Sequence, residues 1–435
     1  MKFKKRIMNI EIYKKQSLIN KLKLYFSLGL LIVLSISCSI TQSVSKNDKN
    51  IKDNSAITFA IIGDYGEELE EDTPNPFELS VAKLVNESFC PEFIITMGDN
   101  NYNQLSDSTY RRAVGNFYAD YNLANSGKNH ASRNCDNQIK GIPFYPTIGN
   151  CDVVGACHSV PGADYKDVDT YSNYFNWANQ DHAENKCETL ITEIQKEYPN
   201  YQCPDTDNYE NLFYDFKKGP VHFFVLNTYC PEAHENGGCY DTLITENPTQ
   251  INDMLLDTSL SSCIGQYLRQ MIWMEYAAKL STAAWKIAYF HNPPYSAGNH
   301  NSCSGLQFDY EQMGIDLILS GHNHCYNRVS FLQDNPKRKE YVYLTIGLSG
   351  VDATKYGCVH SLSGYDSLKS NIVYDQEHGA MKVNASSQEL KLRYYKVTDW
   401  NIPVDEIVLK KVNRKIEVNY CPNGCNKEGI LNCKN

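Results

Sequence analysis

Five short segments of the sequence carry side chains that can bind metal ions, and each follows directly on an apolar run. They are Gly63-Asp64-Tyr65-Gly66, Gly98-Asp99-Asn100-Asn101-Tyr102, Gly149-Asn150-Cys151-Asp152, His291-Asn292-Pro293-Pro294-Tyr295 and Gly321-His322-Asn323-His324. Carboxylate and phenolate oxygens are hard anionic donors, whereas neutral imidazoles and amide oxygens suit divalent transition metals. Each segment alone is weak evidence, because a Gly-Asp or Gly-Asn pair after a strand is usually a turn. The prediction of a metal site therefore rests on all five occurring in order.

The apolar runs before these segments predict the elements that position them. The runs occupy 57–62, 93–97, 144–148, 221–226, 285–290, 315–319 and 341–346. Their β-rich, nearly continuous hydrophobicity indicates strands buried on both faces, as in an α/β protein. Residues 77–88 and 266–280 have the apolar spacing of helices. In open α/β sheets ligands gather beyond the carboxyl ends of the strands, so the five segments are expected to converge on one cleft.

In this order the segments resemble those of the calcineurin-like metallophosphoesterases, and more closely the purple acid phosphatases. The resemblance covers roughly residues 57–350. Its most specific feature is the GDxxY pattern that ends at Tyr102; an HxPxY pattern at 291–295 and the string GHNHCYNR at 321–328 also match. The resemblance implies an α/β fold in which two mixed sheets form a four-layer αββα sandwich, here with a disulfide-rich loop insertion.

The resemblance also implies a ligand set and a reaction. Asp64, Tyr102 and His324 would bind Fe(III), Asn150, His291 and His322 would bind a divalent ion (Fe, Zn or Mn), and Asp99 would bridge the two ions. Two such ions polarise the phosphoryl oxygens and lower the pKa of a bound water, so that a metal-bound hydroxide attacks a phosphomonoester directly. Nearby donors to the phosphate matter as well, and Asn150 and His300 are the candidates.

The sequence departs from the family pattern at the third segment. Purple acid phosphatases normally have a histidine after the asparagine, which is expected to hydrogen-bond the phosphate and help protonate the leaving group; here the residue is Cys151. A thiol is a weak hydrogen-bond donor. Cys151 is interpreted as a catalytic thiolate near the metals, a disulfide partner or an inert replacement. His300 matches a position where the family often has a substrate-facing histidine, and a solvated loop imidazole is the alternative.

The formal net charge of −10, with no run of Lys or Arg in the body of the chain, argues against a partner that is a nucleic acid. Three functions remain. The first is an acid phosphatase acting on phosphomonoesters outside the cytosol. The second is a phosphodiesterase or pyrophosphatase of the same superfamily, which Tyr102 disfavours. The third is a non-catalytic, metal-holding surface protein that binds a phosphorylated ligand, which Cys151 keeps open.

Residues 1–40 have the pattern of an export signal, because basic residues precede a mostly apolar stretch that is short for a membrane span. Two alternatives are an uncleaved anchor that attaches the protein to a membrane and a lipoprotein signal with Cys38 as the acylated residue. Residues 41–56 are expected to be a flexible polar linker. The catalytic domain is predicted over 57–412, followed by a cysteine-containing tail at 413–435.

Fifteen cysteines follow Cys38, a number that a reducing cytosol rarely selects. They predict several disulfides, a secreted or cell-surface location, and a loop-rich insertion over 151–211 that disulfides hold in place. The tight group Cys421, Cys425 and Cys433 has a structural zinc site as its alternative interpretation. Sequons at Asn86 and Asn384 are candidate glycosylation sites.

Overall fold

The computed structural model describes residues 55–67, 73–103, 106–124, 127–135, 141–153, 168–175, 187–204, 212–229, 254–255, 262–335, 338–352, 358, 368–412 and 415–420. The predicted signal with Cys38, most of the predicted linker, and Cys421, Cys425 and Cys433 lie outside these residues. Among the helices of the described residues, none combines the length and the hydrophobicity needed to cross a membrane.

Strands dominate the described part of the chain. They are β1 Ile57–Ile62, β2 Phe93–Thr96, β3 Phe144–Pro146, β4 Tyr214–Lys218, β5 Val221–Val225, β6 Trp285–Tyr289, β7 Leu317–Ser320, β8 Tyr326–Asn335, β9 Arg338–Ile346, β10 Leu368–Tyr374, β11 Gly379–Ala385, β12 Glu389–Lys396, β13 Asp405–Val412 and β14 Lys415–Tyr420. The helices are α1 Pro76–Lys83, α2 Asp107–Tyr110, α3 Val168–Tyr174, α4 Cys187–Ile194 and α5 Ser262–Leu280. Each of the seven apolar runs contains or overlaps a strand, as predicted.

The strands form two mixed sheets. Sheet 1 has the order β3-β2-β1-β11-β12-β13-β14, with parallel pairing among β1, β2 and β3 and antiparallel pairing from β1 onward. Sheet 2 has the order β4-β5-β6-β7-β9-β8-β10, with β5, β6, β7 and β9 parallel. In the part of the chain that the structure describes, the two sheets are joined through one pair, Ile416 of β14 with Arg338 of β9.

The two sheets pack face to face through aromatic side chains. Phe223 of sheet 2 lies 5.3 Å from Phe59 and 5.7 Å from Phe93 of sheet 1, measured between ring centroids. Successive side chains of a strand point to opposite faces. Phe224 accordingly points away from sheet 1 and contacts Trp273 of α5, with ring centroids 6.2 Å apart. Helix α5 thus covers the outer face of sheet 2.

The outer face of sheet 1 is covered by α1 and the π-helical turn Leu84–Phe89 that continues it. Asn75 caps α1, since its side-chain oxygen accepts hydrogen bonds from the first backbone N–H groups, and Pro76 fits the first turn because it has no N–H to satisfy. Phe89 at the other end packs on Tyr395 of β12, with ring centroids 5.4 Å apart. Helices therefore lie outside both sheets, and the predicted four-layer αββα sandwich is confirmed.

The described part of the predicted loop-rich insertion contains two short helices, α3 and α4. Helix α4 buries Leu190 and Ile194, four residues apart, together with Cys187. The Cys187–Cys203 disulfide closes the segment that follows it. Apolar residues at i and i+4 were the signal for this helix, and the high density of Asn and Cys around it obscured that signal.

Disulfides hold several loops, as the cysteine content predicts. Within the described residues the pairs are Cys90–Cys135, Cys187–Cys203 and Cys325–Cys358. Cys151 and Cys303 are also disulfide-bonded.

The sequon at Asn86 lies inside the protein. Its side chain is 1% exposed, and its Nδ2 donates hydrogen bonds to the carbonyl oxygens of Phe117 and Ala131 at 3.2 and 2.7 Å. A glycan on this nitrogen is incompatible with the folded structure. Asn384 lies half-buried on β11, where its Nδ2 donates to Thr58 Oγ1 at 2.8 Å.

Candidate metal centre

Seven side chains from the ends of five strands meet where the carboxyl ends of the two sheets adjoin. Sheet 1 supplies Asp64 after β1, Asp99 and Tyr102 after β2, and Asn150 after β3; sheet 2 supplies His291 after β6 and His322 and His324 after β7. All seven predicted metal ligands are therefore brought together. Their convergence follows from the parallel order of the strands on both sides.

Two glycines make this close approach feasible. A Cβ atom on Gly149 would lie 2.2 Å from Asp99 Oδ1, and one on Gly321 would lie 2.4 Å from Asp64 Oδ2. Any side chain at these positions would displace a carboxylate that faces the site. The glycine at the end of each strand is thus a packing requirement as well as a turn signal.

Three of the seven residues have a left-handed backbone. The φ angles of Asp64, Asp99 and His322 are 53°, 49° and 70°. This conformation costs a non-glycine residue about 1–3 kcal/mol and persists where the surroundings enforce it. The backbone N–H of His322 donates to both Asp64 oxygens, at 3.0 and 2.9 Å, so the two strained residues hold each other.

One side of the site is formed by Asp64, Tyr102 and His324. The Tyr102 hydroxyl lies 3.3 Å from Asp64 Oδ1 and 3.2 Å from His324 Nε2. His324 Nε2 in turn lies 3.7 Å from Asp64 Oδ1. A phenol, a carboxylate and an imidazole thus direct one donor atom each to a common point.

The other side is formed by Asn150, His291 and His322, with Asp99 between the two sides. Asn150 Oδ1 lies 2.9 Å from His291 Nε2 and 3.0 Å from His322 Nδ1. Asp99 Oδ1 is 3.4 Å from His291 Nε2 and accepts a hydrogen bond from the backbone N–H of Cys151 at 2.8 Å. His291 Nδ1 lies 2.7 Å from the Met97 carbonyl oxygen, which leaves Nε2 directed into the site.

The donors fit a metal ion. Within the described residues, Asp64, Asp99 and His291 form a group in which one ligand atom from each lies within 4.8 Å of the others, and all three are buried. Two buried carboxylates this close repel each other unless positive charge lies between them. Oxygen and nitrogen donors of these types are those that iron, zinc and manganese bind.

The pKa shifts in the site also favour a bound metal ion. Burial raises the pKa of Asp64 well above its ordinary value. Burial lowers the pKa of His322, and the neighbouring His291 lowers it further, so His322 is a neutral imidazole with a lone pair to donate. Burial alone would lower the pKa of His291, but the Asp99 carboxylate beside it raises that pKa to about 9. A bound metal ion would replace this proton as the positive charge beside the Asp99 carboxylate.

A supporting network behind the donors had no role in the sequence-based prediction. Asp152 is fully buried and accepts hydrogen bonds from the backbone N–H groups of Asn100 and Gly149, at 3.1 and 2.9 Å, and from the Tyr110 hydroxyl at 3.0 Å. It thereby fixes the segment after β2 against the segment after β3. The only sequence signal was the position of Asp152 within the third segment, three residues after its glycine.

The two candidate catalytic residues lie at the site in different states. His300 is half-buried, and its ring centroid is 4.6 Å from that of His322 and 5.9 Å from that of His324. Cys151 is buried and disulfide-bonded, and its Sγ lies 3.4 Å from Asn150 Nδ2. Of the three interpretations of Cys151, the structure shows the disulfide partner, whose sulfur carries no proton to donate.

The fold and the donors together define a metal-dependent phosphoesterase, and sequence comparison agrees. The family model of the calcineurin-like phosphoesterases matches residues 57–326, a span that runs from β1 to the start of β8 and includes all seven donors. Because the match covers more than half of the chain, the protein belongs to the calcineurin-like phosphoesterase family.

Individual relatives share a low percentage of identical residues with this chain. Purple acid phosphatase 3 of Arabidopsis thaliana is 22% identical over 377 residues, which cover 84% of this chain and 82% of the relative. Among solved structures, the purple acid phosphatase PPD1 from yellow lupin (Lupinus luteus) seeds is 15% identical with a TM-score of 0.49, over 83% of this chain and 55% of its own. GAP50, described as the anchor in the inner membrane complex of Plasmodium, is 14% identical with a TM-score of 0.43, over 80% and 86%.

Proposed function

We propose that this protein is an exported phosphatase that hydrolyses phosphomonoesters with an Fe(III) ion and a divalent ion. The observation that carries the proposal is the position of the Tyr102 hydroxyl, 3.3 Å from Asp64 Oδ1 and 3.2 Å from His324 Nε2. A phenolate among the donors is the feature that distinguishes a ferric site from a site for two divalent ions. The general phosphoesterase chemistry rests on family membership and does not depend on Tyr102.

The donors divide between the two ions by their chemistry. Asp64 and Tyr102, the hard anionic donors, would hold Fe(III) together with His324. Asp99, whose Oδ1 lies 3.4 Å from His291 Nε2, would be shared by the two ions. The neutral donors Asn150, His291 and His322 would hold Fe(II), Zn or Mn. When bound, the ions would neutralise the phosphoryl charge and lower the pKa of a water molecule.

Phosphate binding and protonation of the leaving group depend on side chains beside the metal ligands. Asn150 Nδ2 and the His300 imidazole would donate hydrogen bonds to phosphate oxygens. This role is supported by the 4.6 Å between the ring centroids of His300 and His322 and by the position of Asn150 Oδ1, 2.9 Å from His291 Nε2. Because the sulfur of Cys151 is held in a disulfide, Cys151 would supply no proton to the leaving group. Substrates whose leaving groups need no proton should therefore be preferred.

The test is to purify the protein with iron and zinc available and measure three properties. Metal analysis should give two equivalents per chain, one of them iron, and a visible absorption band should accompany the iron. p-Nitrophenyl phosphate should be cleaved faster than bis(p-nitrophenyl) phosphate. It should also be cleaved about 100 to 10,000 times faster than glycerol phosphate, the range that general acid catalysis is typically worth. Two equivalents of zinc and no iron would overturn the ferric assignment.

Two other functions give different results in the same assay. Preferential cleavage of the diester or of pyrophosphate would identify a phosphodiesterase or pyrophosphatase of the family. Full metal occupancy with no hydrolysis of any ester, together with binding of inorganic phosphate, would identify a non-catalytic phospho-ligand-binding protein. The state of Cys151 is the specific observation that keeps this last function under test.

Export is the second part of the proposal. It is supported by the disulfides at Cys90–Cys135, Cys187–Cys203 and Cys325–Cys358, which persist in oxidising compartments. Mass spectrometry of the protein from its native source should find most cysteines oxidised. N-terminal sequencing should show whether residues 1–40 are removed, retained as an anchor, or cut before an acylated Cys38. Free thiols throughout the native protein would contradict export.

A further inference from the structure

One buried side chain joins the loop that carries His300 to the loop that carries His322 and His324. Asn323 lies between those two histidines and is 0% exposed. Its Oδ1 accepts a hydrogen bond from the backbone N–H of His300 at 2.8 Å, and its Nδ2 donates to the carbonyl oxygen of Asn301 at 3.2 Å. One amide therefore holds the backbone N–H of His300 and the backbone carbonyl of Asn301, the residue that follows it.

The loop has little room to move while Asn323 is in place. A Cβ atom on Gly298 would lie 2.0 Å from Asn323 Cγ, so the two segments are in direct contact. Asn301 has a φ of 62°, in the left-handed region, and its N–H donates to the Gly298 carbonyl oxygen at 3.0 Å. A turn that contains a strained residue needs outside contacts to persist. The Asn323 amide supplies two of them.

We propose that Asn323 is a positioning residue that fixes the His300 imidazole relative to the metal ligands. The inference rests on the proposed function, in which His300 contacts the phosphate. Because Asn323 shares a four-residue segment with His322 and His324, a shift of those ligands is transmitted directly to the backbone of His300. The 4.6 Å separation of the His300 and His322 rings is then set by one side chain.

The structure offers a matched control for simple loosening of the loop. Asn327 is also 0% exposed, and its Oδ1 accepts a hydrogen bond from the backbone N–H of Ala297 at 2.9 Å. Its Nδ2 donates to the Ile372 carbonyl oxygen at 2.9 Å. Asn327 thus anchors the same loop at Ala297, three residues before His300. Asn327→Ala loosens the loop but leaves the Asn323 contacts in place.

The experiment is a double-mutant cycle on the metal-loaded protein, with two equivalents of metal verified for each variant. The measured quantities are kcat and KM for p-nitrophenyl phosphate and, by calorimetry, Kd for inorganic phosphate. Asn323→Ala and His300→Ala should each lower kcat by about 100-fold, because each removes or misplaces a hydrogen-bond donor to the phosphate. The double variant should fall no more than about 3-fold below His300→Ala, because the two changes remove one effect. In contrast, the fold reductions in kcat caused by Asn327→Ala and by His300→Ala should multiply when the two changes are combined.

Independent, multiplying effects of Asn323→Ala and His300→Ala would overturn the inference, and so would a His300→Ala variant with unchanged kcat and Kd. Absence of hydrolysis by the metal-loaded wild-type protein would contradict the proposed function alone, since the same cycle is then read from Kd for phosphate. Should Asn323→Ala unfold or lose metal, Asn323→Asp replaces it. This variant keeps the acceptor for the His300 N–H, but it replaces the donor to Asn301 with a carboxyl oxygen and adds an ionisable group. An intermediate loss is expected when two equivalents of metal are verified.

Discussion

Two regions of this protein bury charged side chains, and they do so in opposite ways. Between the sheets, Arg328 of β8 donates from Nε to Asp405 of β13 at 2.6 Å, and the Tyr326 hydroxyl donates to the same carboxylate at 2.7 Å. The Arg328 guanidinium also packs over the Tyr420 ring, 3.8 Å from its centroid. In the metal centre the buried carboxylates of Asp64 and Asp99 form ion pairs, within the described residues, only with His324 and His291.

The difference shows what each region is for. A buried charge is tolerated when a counter-charge and hydrogen bonds accompany it. The Arg328–Asp405 pair is complete within the chain and fastens sheet 2 to sheet 1. Among the described ion pairs, the two carboxylates of the metal centre have histidine partners and no Lys or Arg partner, so a bound metal ion would supply further positive charge. One arrangement stabilises the fold, and the other uses that stability to hold a reactive site.

The strongest test of this comparison is Asp99→Asn, which removes the carboxylate between the two metal sites. It should abolish tight binding of at least one ion and lower kcat/KM by more than about 1,000-fold, or about 4 kcal/mol of barrier. Metal analysis and p-nitrophenyl phosphate hydrolysis check this. The exposed Asp107, changed to Asn, is the charge-matched control and should retain both properties. Full metal content in Asp99→Asn would show that Asp99 is not a shared ligand.

The next largest effect is expected on the free energy of unfolding, when the Arg328–Asp405 ion pair is broken. Asp405→Asn or Arg328→Met leaves its buried partner uncompensated and should lower the free energy of unfolding by about 3–5 kcal/mol. Replacing both, as Arg328→Met with Asp405→Leu, should recover much of that loss. Urea unfolding of metal-free protein measures both. A loss of less than about 1 kcal/mol in the single variants would mean that water reaches the pair.

Tyr102→Phe distinguishes the ferric site from the wider family. The phenyl ring keeps the packing but removes the phenolic oxygen, so the visible band should disappear and kcat should fall by about 10- to 100-fold. Absorption spectroscopy at matched iron content is the measurement. Tyr65→Phe is the control, since its hydroxyl donates to Asn100 at 2.8 Å and lies outside the donor set. A band that survives in Tyr102→Phe would assign the colour to another ligand.

The smallest effect is expected at Glu78, a buried carboxyl group that has neither a hydrogen-bonded counter-charge nor a place among the metal ligands. Both its oxygens lack a hydrogen-bond partner in the described structure, and burial raises its pKa well above the ordinary value. The folded protein then keeps a proton that the unfolded chain releases, so stability falls as pH rises above the unfolded pKa of about 4.5. Glu78→Gln should therefore match wild type near pH 4 and melt a few degrees higher near pH 8.

Melting curves at several pH values check this, with exposed Glu87→Gln as the control that should show no such trend. A stability difference between Glu78→Gln and wild type that stays constant with pH would mean that Glu78 is charged in the folded state. Glu78 adds a third case to the comparison of buried acids. Asp405 is paired with Arg328, the carboxylates of the metal centre would bind a cation, and Glu78 is kept neutral.

The sequence predicted the part of the fold that builds the site. Every apolar run before a donor forms a parallel strand, and such strands are easy to recognise because they are hydrophobic on both faces. The strands from β10 to β14 went unrecognised. Glu389–Lys396, for example, alternates half-buried and buried residues, so it lacks a continuous apolar run. Strand β14, at Lys415–Tyr420, lies just beyond the predicted domain boundary and pairs with β13.

The supporting residues could not be predicted in the same way. Asp152 and Asn323 act through contacts across 52 and 23 residues of sequence, with Asn100 and His300 respectively. Neither has a local pattern that indicates its partner. The donors themselves were recognisable because glycine and a strand end mark each of them, whereas hydrogen bonds between loops follow only from the packed structure.

The division of the donors between the sheets has a consequence for the lifetime of the protein. Asp64, Asp99, Tyr102 and Asn150 come from sheet 1, and His291, His322 and His324 come from sheet 2. Among the described residues, strand pairing joins the sheets only at Ile416 and Arg338. With the proposed metal ions bound, an unfolding path that separates the sheets would have to break metal ligation before it exposed the aromatic interior. For a protein exported as proposed, proteases outside the cell would cleave the opened chain, so the rate of opening would set survival. Metal occupancy would then govern how long the enzyme lasts as well as whether it works.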